Sequence, residues 1–175
     1  MAFIRTKRIK KKSGAIYEYL YIVENKRSRG KRMKQKMKKY LGRVYRHSRD
    51  NVMDFYEFYE IEDVNRYIDE NSKDDIIWDL IKLELFNHGF EEEKDVFSKD
   101  GCFVNLKDRK VYNERGNSVA FAFNEGFLTT HAIRKILNFR AEDEEDGYDF
   151  AKMFVEAGIS IPQDVFVGVF RKVFK

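Results

Sequence analysis

The sequence carries one cysteine, Cys102, which excludes an intramolecular disulfide and any zinc or iron–sulfur site built on clustered thiolates. Its setting, Gly101-Cys102-Phe103-Val104, is apolar, so a buried thiol is expected. Histidine is scarce too. His47, His88 and His131 lie far apart and form no local ligand motif, so no metal site is expected. No apolar run approaches the roughly 18 residues of a membrane-spanning helix. The start Met1-Ala2-Phe3 leads into basic residues without the apolar region of a signal peptide, and a cytoplasmic protein is expected. The glycine-rich phosphate loop, the dinucleotide-binding glycines, the HExxH zinc motif and the GxSxG nucleophile motif are all missing. No cofactor is therefore expected, and no catalytic residue is assigned. No internal repeat is visible.

What is present is aromatic material and an uneven distribution of charge. The 175 residues are 43% hydrophobic and include 16 Phe and 10 Tyr, enough to pack one domain or two small ones sharing a core. The abundance of Lys, Glu, Ile and Tyr points to an archaeal, heat-adapted origin. The net charge of +4 conceals two opposite halves. Residues 1–49 hold 18 Lys or Arg against the two acids Glu18 and Glu24, a net of +16, while residues 50–175 carry a net of −12. The first part repels itself and favours polyanions; the second resembles an ordinary acidic surface. This is taken as the boundary between a basic nucleic-acid-binding module, 1–49, and an acidic α+β domain, 50–175.

Within the basic part, Phe3 to Ile9 reads as a first strand and Ser13-Gly14 as a turn. Ala15 to Val23 is dense in aromatic and β-branched residues, the clearest strand in the chain. After the polar loop from Asn25 to Gly30, Lys31 to Leu41 alternates with period two. That places Met33, Gln35, Met37, Lys39 and Leu41 on one face and Arg32, Lys34, Lys36, Lys38 and Tyr40 on the other. A helix is the rival reading of this segment. The first two strands need a third to cover their apolar side, and like charges at i,i+4 would repel, so a three-stranded antiparallel meander is favoured. On the second strand Tyr17, Tyr19 and Tyr21 share a face, either beside the basic side chains or packed inward against helices.

The residues Lys11-Lys12-Ser13-Gly14, Tyr17-Glu18-Tyr19-Leu20, Val23-Glu24, Arg27, Gly30-Lys31-Arg32, Gln35-Lys36 and Tyr40-Leu41-Gly42 together resemble the N-terminal segment of prokaryotic insertion-sequence transposases. The resemblance covers less than a quarter of the chain and implies a small β element that handles nucleic acid. In those transposases an RNase H-like core with three carboxylates follows. The 133 residues after Gly42 offer no strand-embedded aspartate matching it, so no catalytic residue is carried over.

The acidic part reads as mostly helical with a small antiparallel sheet. A helix opens at Glu62-Asp63 and breaks at Asn71-Ser72, and Ser72 with Asp75 has capping-box spacing before a helix ending near Gly89. Glu91-Glu92-Glu93 reads as a loop. Short strands around Phe97, Phe103–Leu106, Lys110–Tyr112 and Val119–Phe123 form the second sheet, which Asn124-Glu125-Gly126-Phe127 ends. Thr129 or Thr130 caps a helix. Glu142 to Asp146 reads as a hydrated linker before a helix from Asp149 to Ala157. Ser160 and Gln163 have capping-box spacing before the last helix. The fold class expected is α+β.

The function expected is a non-catalytic nucleic-acid-binding accessory protein. Arg5, Lys7, Lys34, Lys36 and Lys38 contact phosphates, Lys26, Arg27, Arg29, Lys31 and Arg32 form a groove-entering loop around Gly30, and Tyr17, Tyr19 and Tyr21 stack on bases. DNA is favoured slightly over a structured RNA as the partner, and residues 50–175 are open to a protein partner or self-association. Two alternatives remain. The basic face could dock an acidic protein, or Glu125 and His131 could serve a small metal-dependent nuclease.

Overall fold

A computed structural model describes residues 2–26 and 34–174. The three expected basic strands form: β1 (Ala2–Lys10), β2 (Ile16–Lys26) and β3 (Lys34–Arg46), paired antiparallel in sequence order. The β1–β2 turn is closed by Lys11 N donating to Ala15 O at 2.8 Å. The loop expected around Gly30, with Arg27, Arg29, Lys31 and Arg32, lies outside the described residues.

The described residues then form six helices: α1 (Phe55–Phe58), α2 (Val64–Glu70), α3 (Lys73–Asn87), α4 (Thr130–Leu137), α5 (Asp146–Ala157) and α6 (Gln163–Val173). Among the described residues no helix is long and apolar enough to cross a membrane. The capping box at α3 is complete, with Ser72 and Asp75 satisfying each other's backbone N–H. Thr129 caps α4 by accepting from Ala132 N. Gly158, in the left-handed region, closes α5. Helix α3 buries Ile76, Ile77, Leu80, Ile81, Leu83 and Leu85. An arc that broad requires neighbours on several sides, and α3 accordingly lies at the centre of the main core.

The second sheet is antiparallel, in the order β4 (Glu91–Glu93), β5 (Val96–Lys99), β6 (Cys102–Asn105) and β7 (Lys110–Asn113). Its first strand corrects the loop expected at Glu91–Glu93. The triplet is exposed but lends its backbone to β5 as an edge strand, where like charges are tolerated because solvent covers them. The segment Val119–Phe123 does not join this sheet. As β8 it pairs in parallel with β3, and β9 (Gly126–Thr129) returns antiparallel to it, giving a five-stranded sheet β1-β2-β3-β8-β9. Val119, Phe121 and Phe123 are buried in the main core, while Ala120 belongs to a second cluster with Leu20, Leu41 and Val44. A strand covered on both faces reads as a continuous apolar run, the pattern of a sheet interior. Asn124-Glu125, expected to end a sheet, is instead the β8–β9 hairpin turn.

Two further expectations are corrected. The acidic tract is a turn rather than a linker: the Asp146 carboxylate accepts from Glu142 N at 2.7 Å, and α5 begins at Asp146. Negative side chains are favoured there by the partial positive charge of a helix N-terminus. The last helix begins at Gln163 with Pro162 as its N-cap and no side-chain cap, so Ser160 lies two residues before the cap position; its backbone N–H donates to Glu84 Oε1 at 3.1 Å.

The chain leaving β3 is fastened to α3. Asn87 donates to Met53 O and accepts from Met53 N, both at 3.0 Å, and its own carbonyl accepts from Asp50 N and Asn51 N. The charge boundary of the sequence is crossed by one sheet, through the pairing of β3 with β8.

Candidate nucleic-acid interface

The geometry of β3 differs from strict period two. Two register shifts, between Leu20 and Tyr21 and between Ile22 and Val23, leave Leu41 and Lys38 without direct partners on β2. Each extra residue reverses which side chains face which side. Gln35 and Met37 pair opposite Asn25 and Val23. The bulge at Lys38 then brings Tyr40 opposite Tyr21, and the bulge at Leu41 brings Arg43 opposite Tyr19. Tyr40, expected beside Lys34 and Lys36, therefore stands on the tyrosine face, and Lys39 crosses to the other.

The tyrosine face is continuous across three strands. Arg5 and Lys7 on β1 lie opposite Tyr21 and Tyr19 on β2. The Tyr40 ring is 5.3 Å from Tyr21 and 6.3 Å from Tyr19, centroid to centroid. The Arg43 guanidinium lies 3.8 Å over Tyr17 and 5.0 Å over Tyr45, and Lys11 Nζ is 5.9 Å over Tyr19. Arg5 donates to Gln35 Oε1. Tyr40 is 50% exposed, yet burial by its neighbours and proximity to Tyr21 and Tyr19 push its pKa above the ordinary phenol value. The three tyrosines of β2 face outward beside Arg5 and Lys7.

Lys34 and Lys36 lie opposite Lys26 and Glu24, on the other face. Lys38 and Lys39 reach a cavity of about 530 Å³ between that face and helices α4 and α5. There Lys39 Nζ donates to His131 Nδ1 at 3.4 Å, which requires a neutral ring at that nitrogen. Burial, then the Lys39 and Lys135 charges, hold the His131 pKa below its usual range. The described site residues are thus divided between two faces: Arg5, Lys7 and the tyrosines on one, Lys26, Lys34, Lys36 and Lys38 on the other. All six basic side chains named are exposed, and among the described residues none of them makes an ion pair.

Residues 4–74 match the IS1634 family transposase, N-terminal domain. The match begins in β1 and ends in the first turn of α3, so it spans the meander and continues across α1 and α2, further than the transposase-like residues of β1 to β3 had implied. Residues 75–175, which hold the second sheet and the three C-terminal helices, lie outside it. Comparison with curated proteins and with solved structures gives no match.

Glu125 and His131 are not brought together. Glu125 sits exposed in the β8–β9 turn and His131 in the first turn of α4, at opposite ends of β9. Among the described residues no group of three or more His, Cys, Asp or Glu side chains is placed to hold a metal. Cys102 is fully buried, and that burial pushes its thiol up to about 11. The polar group that sequence reasoning missed is internal. Glu84, 1% exposed, faces His88 Nδ1 at 3.7 Å and Arg49 Nη1 at 4.0 Å, and the His88 ring stacks on Phe123 with 4.0 Å between centroids. Only the i,i+4 spacing of Glu84 and His88 on one helix could have signalled it.

Proposed function

We propose that this chain binds DNA through its N-terminal meander, as an accessory protein without chemistry of its own. The observation that carries this reading is the match of residues 4–74 to a transposase N-terminal domain, since the +16 segment lies almost wholly within it. Arg5 and Lys7 on one face, and Lys26, Lys34, Lys36 and Lys38 on the other, contact phosphates. Arg27, Arg29, Lys31 and Arg32, which lie outside the described residues, add to the positive charge of the same stretch of sequence. The exposure of the six described cations supports this, because unpaired lysines and arginines keep their counterions until a polyanion displaces them. Residues 50–175 position the module on a larger assembly or against a second copy.

Fluorescence anisotropy with labelled duplex DNA and a structured RNA at two salt concentrations tests the reading. Binding should weaken with salt at a slope near −0.9 per duplex phosphate neutralised. The triple variant Lys34→Glu, Lys36→Glu, Lys38→Glu should lose about 100-fold or more in affinity at low salt. The probe should remain intact when magnesium is present. Absence of binding at moderate salt would overturn the proposal and turn the basic surface toward an acidic protein; undiminished binding by the triple variant would remove those lysines from the interface.

A further inference from the structure

The tyrosine face does not end in open solvent. At its β3 end it forms one wall of a cleft of about 790 Å³, whose other wall is the edge of the second sheet. The first wall offers the rings of Tyr17, Tyr19, Tyr40 and Tyr45 with the Arg43 guanidinium stacked between two of them. The second offers Asp100, from the β5–β6 turn, and Glu114, Arg115 and Asn117, from the β7–β8 connection, all exposed.

We propose that this cleft takes unpaired bases of a single DNA strand, an inference that rests on the DNA-binding reading and narrows it. Three physical points lead there. In a duplex both faces of an interior base are already stacked, so flat aromatic rings have nothing to grip, whereas an unpaired base offers its face. Tyrosine and arginine together serve any base, because every base has a π-face and guanidinium stacks on it as well. The two walls also differ in charge. The two carboxylates of Asp100 and Glu114 outweigh the single Arg115 on the second wall and repel phosphates, while Arg5, Lys7 and Lys11, with no acid among them, border the tyrosines on the opposite side. The backbone therefore runs along the β1 side and the bases point toward the second sheet, where carboxylate oxygens accept from exocyclic amino groups.

The test compares the full chain on a labelled single-stranded oligonucleotide and on the duplex of the same sequence, at matched salt. The single strand should bind at least about tenfold more tightly. Tyr40→Ala should weaken single-strand binding about tenfold and leave duplex binding unchanged, and Tyr40→Phe, which keeps the ring, should restore it. Circular dichroism of both variants reports whether the sheet has survived. Equal affinity for the two probes, or an equal loss on both from Tyr40→Ala, would overturn this inference alone. If neither probe binds, the DNA-binding reading falls with it.

Discussion

The N-terminal meander and the remainder of the chain are held together by very different amounts of buried surface. In the meander, Leu20, Val23, Leu41 and Val44 are buried, and the cluster to which three of them belong is completed by Ala120 from β8. The remainder buries a continuous core running from Phe55 to Val173, with Phe121, Phe123, Phe150 and Phe154 at its heart. Three strands crowded with cations have little apolar surface to bury and strong self-repulsion, so they depend on the acidic part as a scaffold. That dependence is physical continuity within one sheet: β3 pairs with β8 from Arg43 to Arg46. A cationic, solvent-exposed surface thus draws its stability from a neighbour with a larger core.

The largest way to break this contrast is in the main core. Phe121→Ala should cost about 3–5 kcal/mol in urea unfolding, since the ring is fully buried against His47, Phe90 and Phe123. Leu20→Ala should cost less, about 2–3 kcal/mol, and act locally, because its small cluster can collapse or fray without disturbing α3. Hydrogen exchange would separate the two, with β1 and β2 losing protection in Leu20→Ala while α3 keeps it. Equal, global losses in both variants would mean that the meander is no less stable than its scaffold.

The seam between the two regions is tested at Gly42. Its φ is +134, and a Cβ there would stand 2.5 Å from Ser118 O and 2.6 Å from Val119 Cα, both backbone atoms that cannot swing away. Gly42→Ala should therefore cost about 2 kcal/mol or more and loosen the pairing of β3 with β8. A variant of unchanged melting temperature would show that the seam tolerates separation.

A smaller, graded effect concerns acid. His47 and His88, packed against the scaffold's phenylalanines, both have pKa values held below the ordinary 6.5, burial being the main cause in each. Lys99 and His88 add repulsion at His47, opposed by Asp100 and Asp50; at His88 the Glu84 carbonyl and carboxylate oppose Arg49 and Lys99. A histidine whose folded pKa is depressed binds its proton more readily when unfolded. The stability it contributes is complete above about pH 6.5 and is lost as pH falls below that value, at up to about 1.4 kcal/mol per pH unit for each such group. His47 Nε2 is buried without a hydrogen-bond partner, so His47→Phe should flatten the acid limb of a melting-temperature profile between pH 7 and 5. An unchanged profile would exclude His47 as a contributor.

Several features were legible in residues close together in the chain. The aromatic and β-branched run of β2, the Ser72–Asp75 box, the Thr129 cap and the Gly158 stop depend on interactions within a few residues, so local chemistry alone determines them. The burial of Cys102 followed from its apolar neighbours, and the uneven charge is a property of composition. What only the tertiary structure decided is which faces meet. The bulges at Lys38 and Leu41, which move Tyr40 to the tyrosine face, arise from fitting β3 to β2 on one side and to β8 on the other, and period two contains no sign of them. The parallel pairing of β8 joins residues some 75 positions apart, a partnership that an apolar run announces without naming. Ser160 does not cap because α6 starts only at Gln163, and the Ser160 backbone N–H meets Glu84 on a distant helix instead. Short-range chemistry set the elements, and the requirement to bury one strand on both faces set their arrangement.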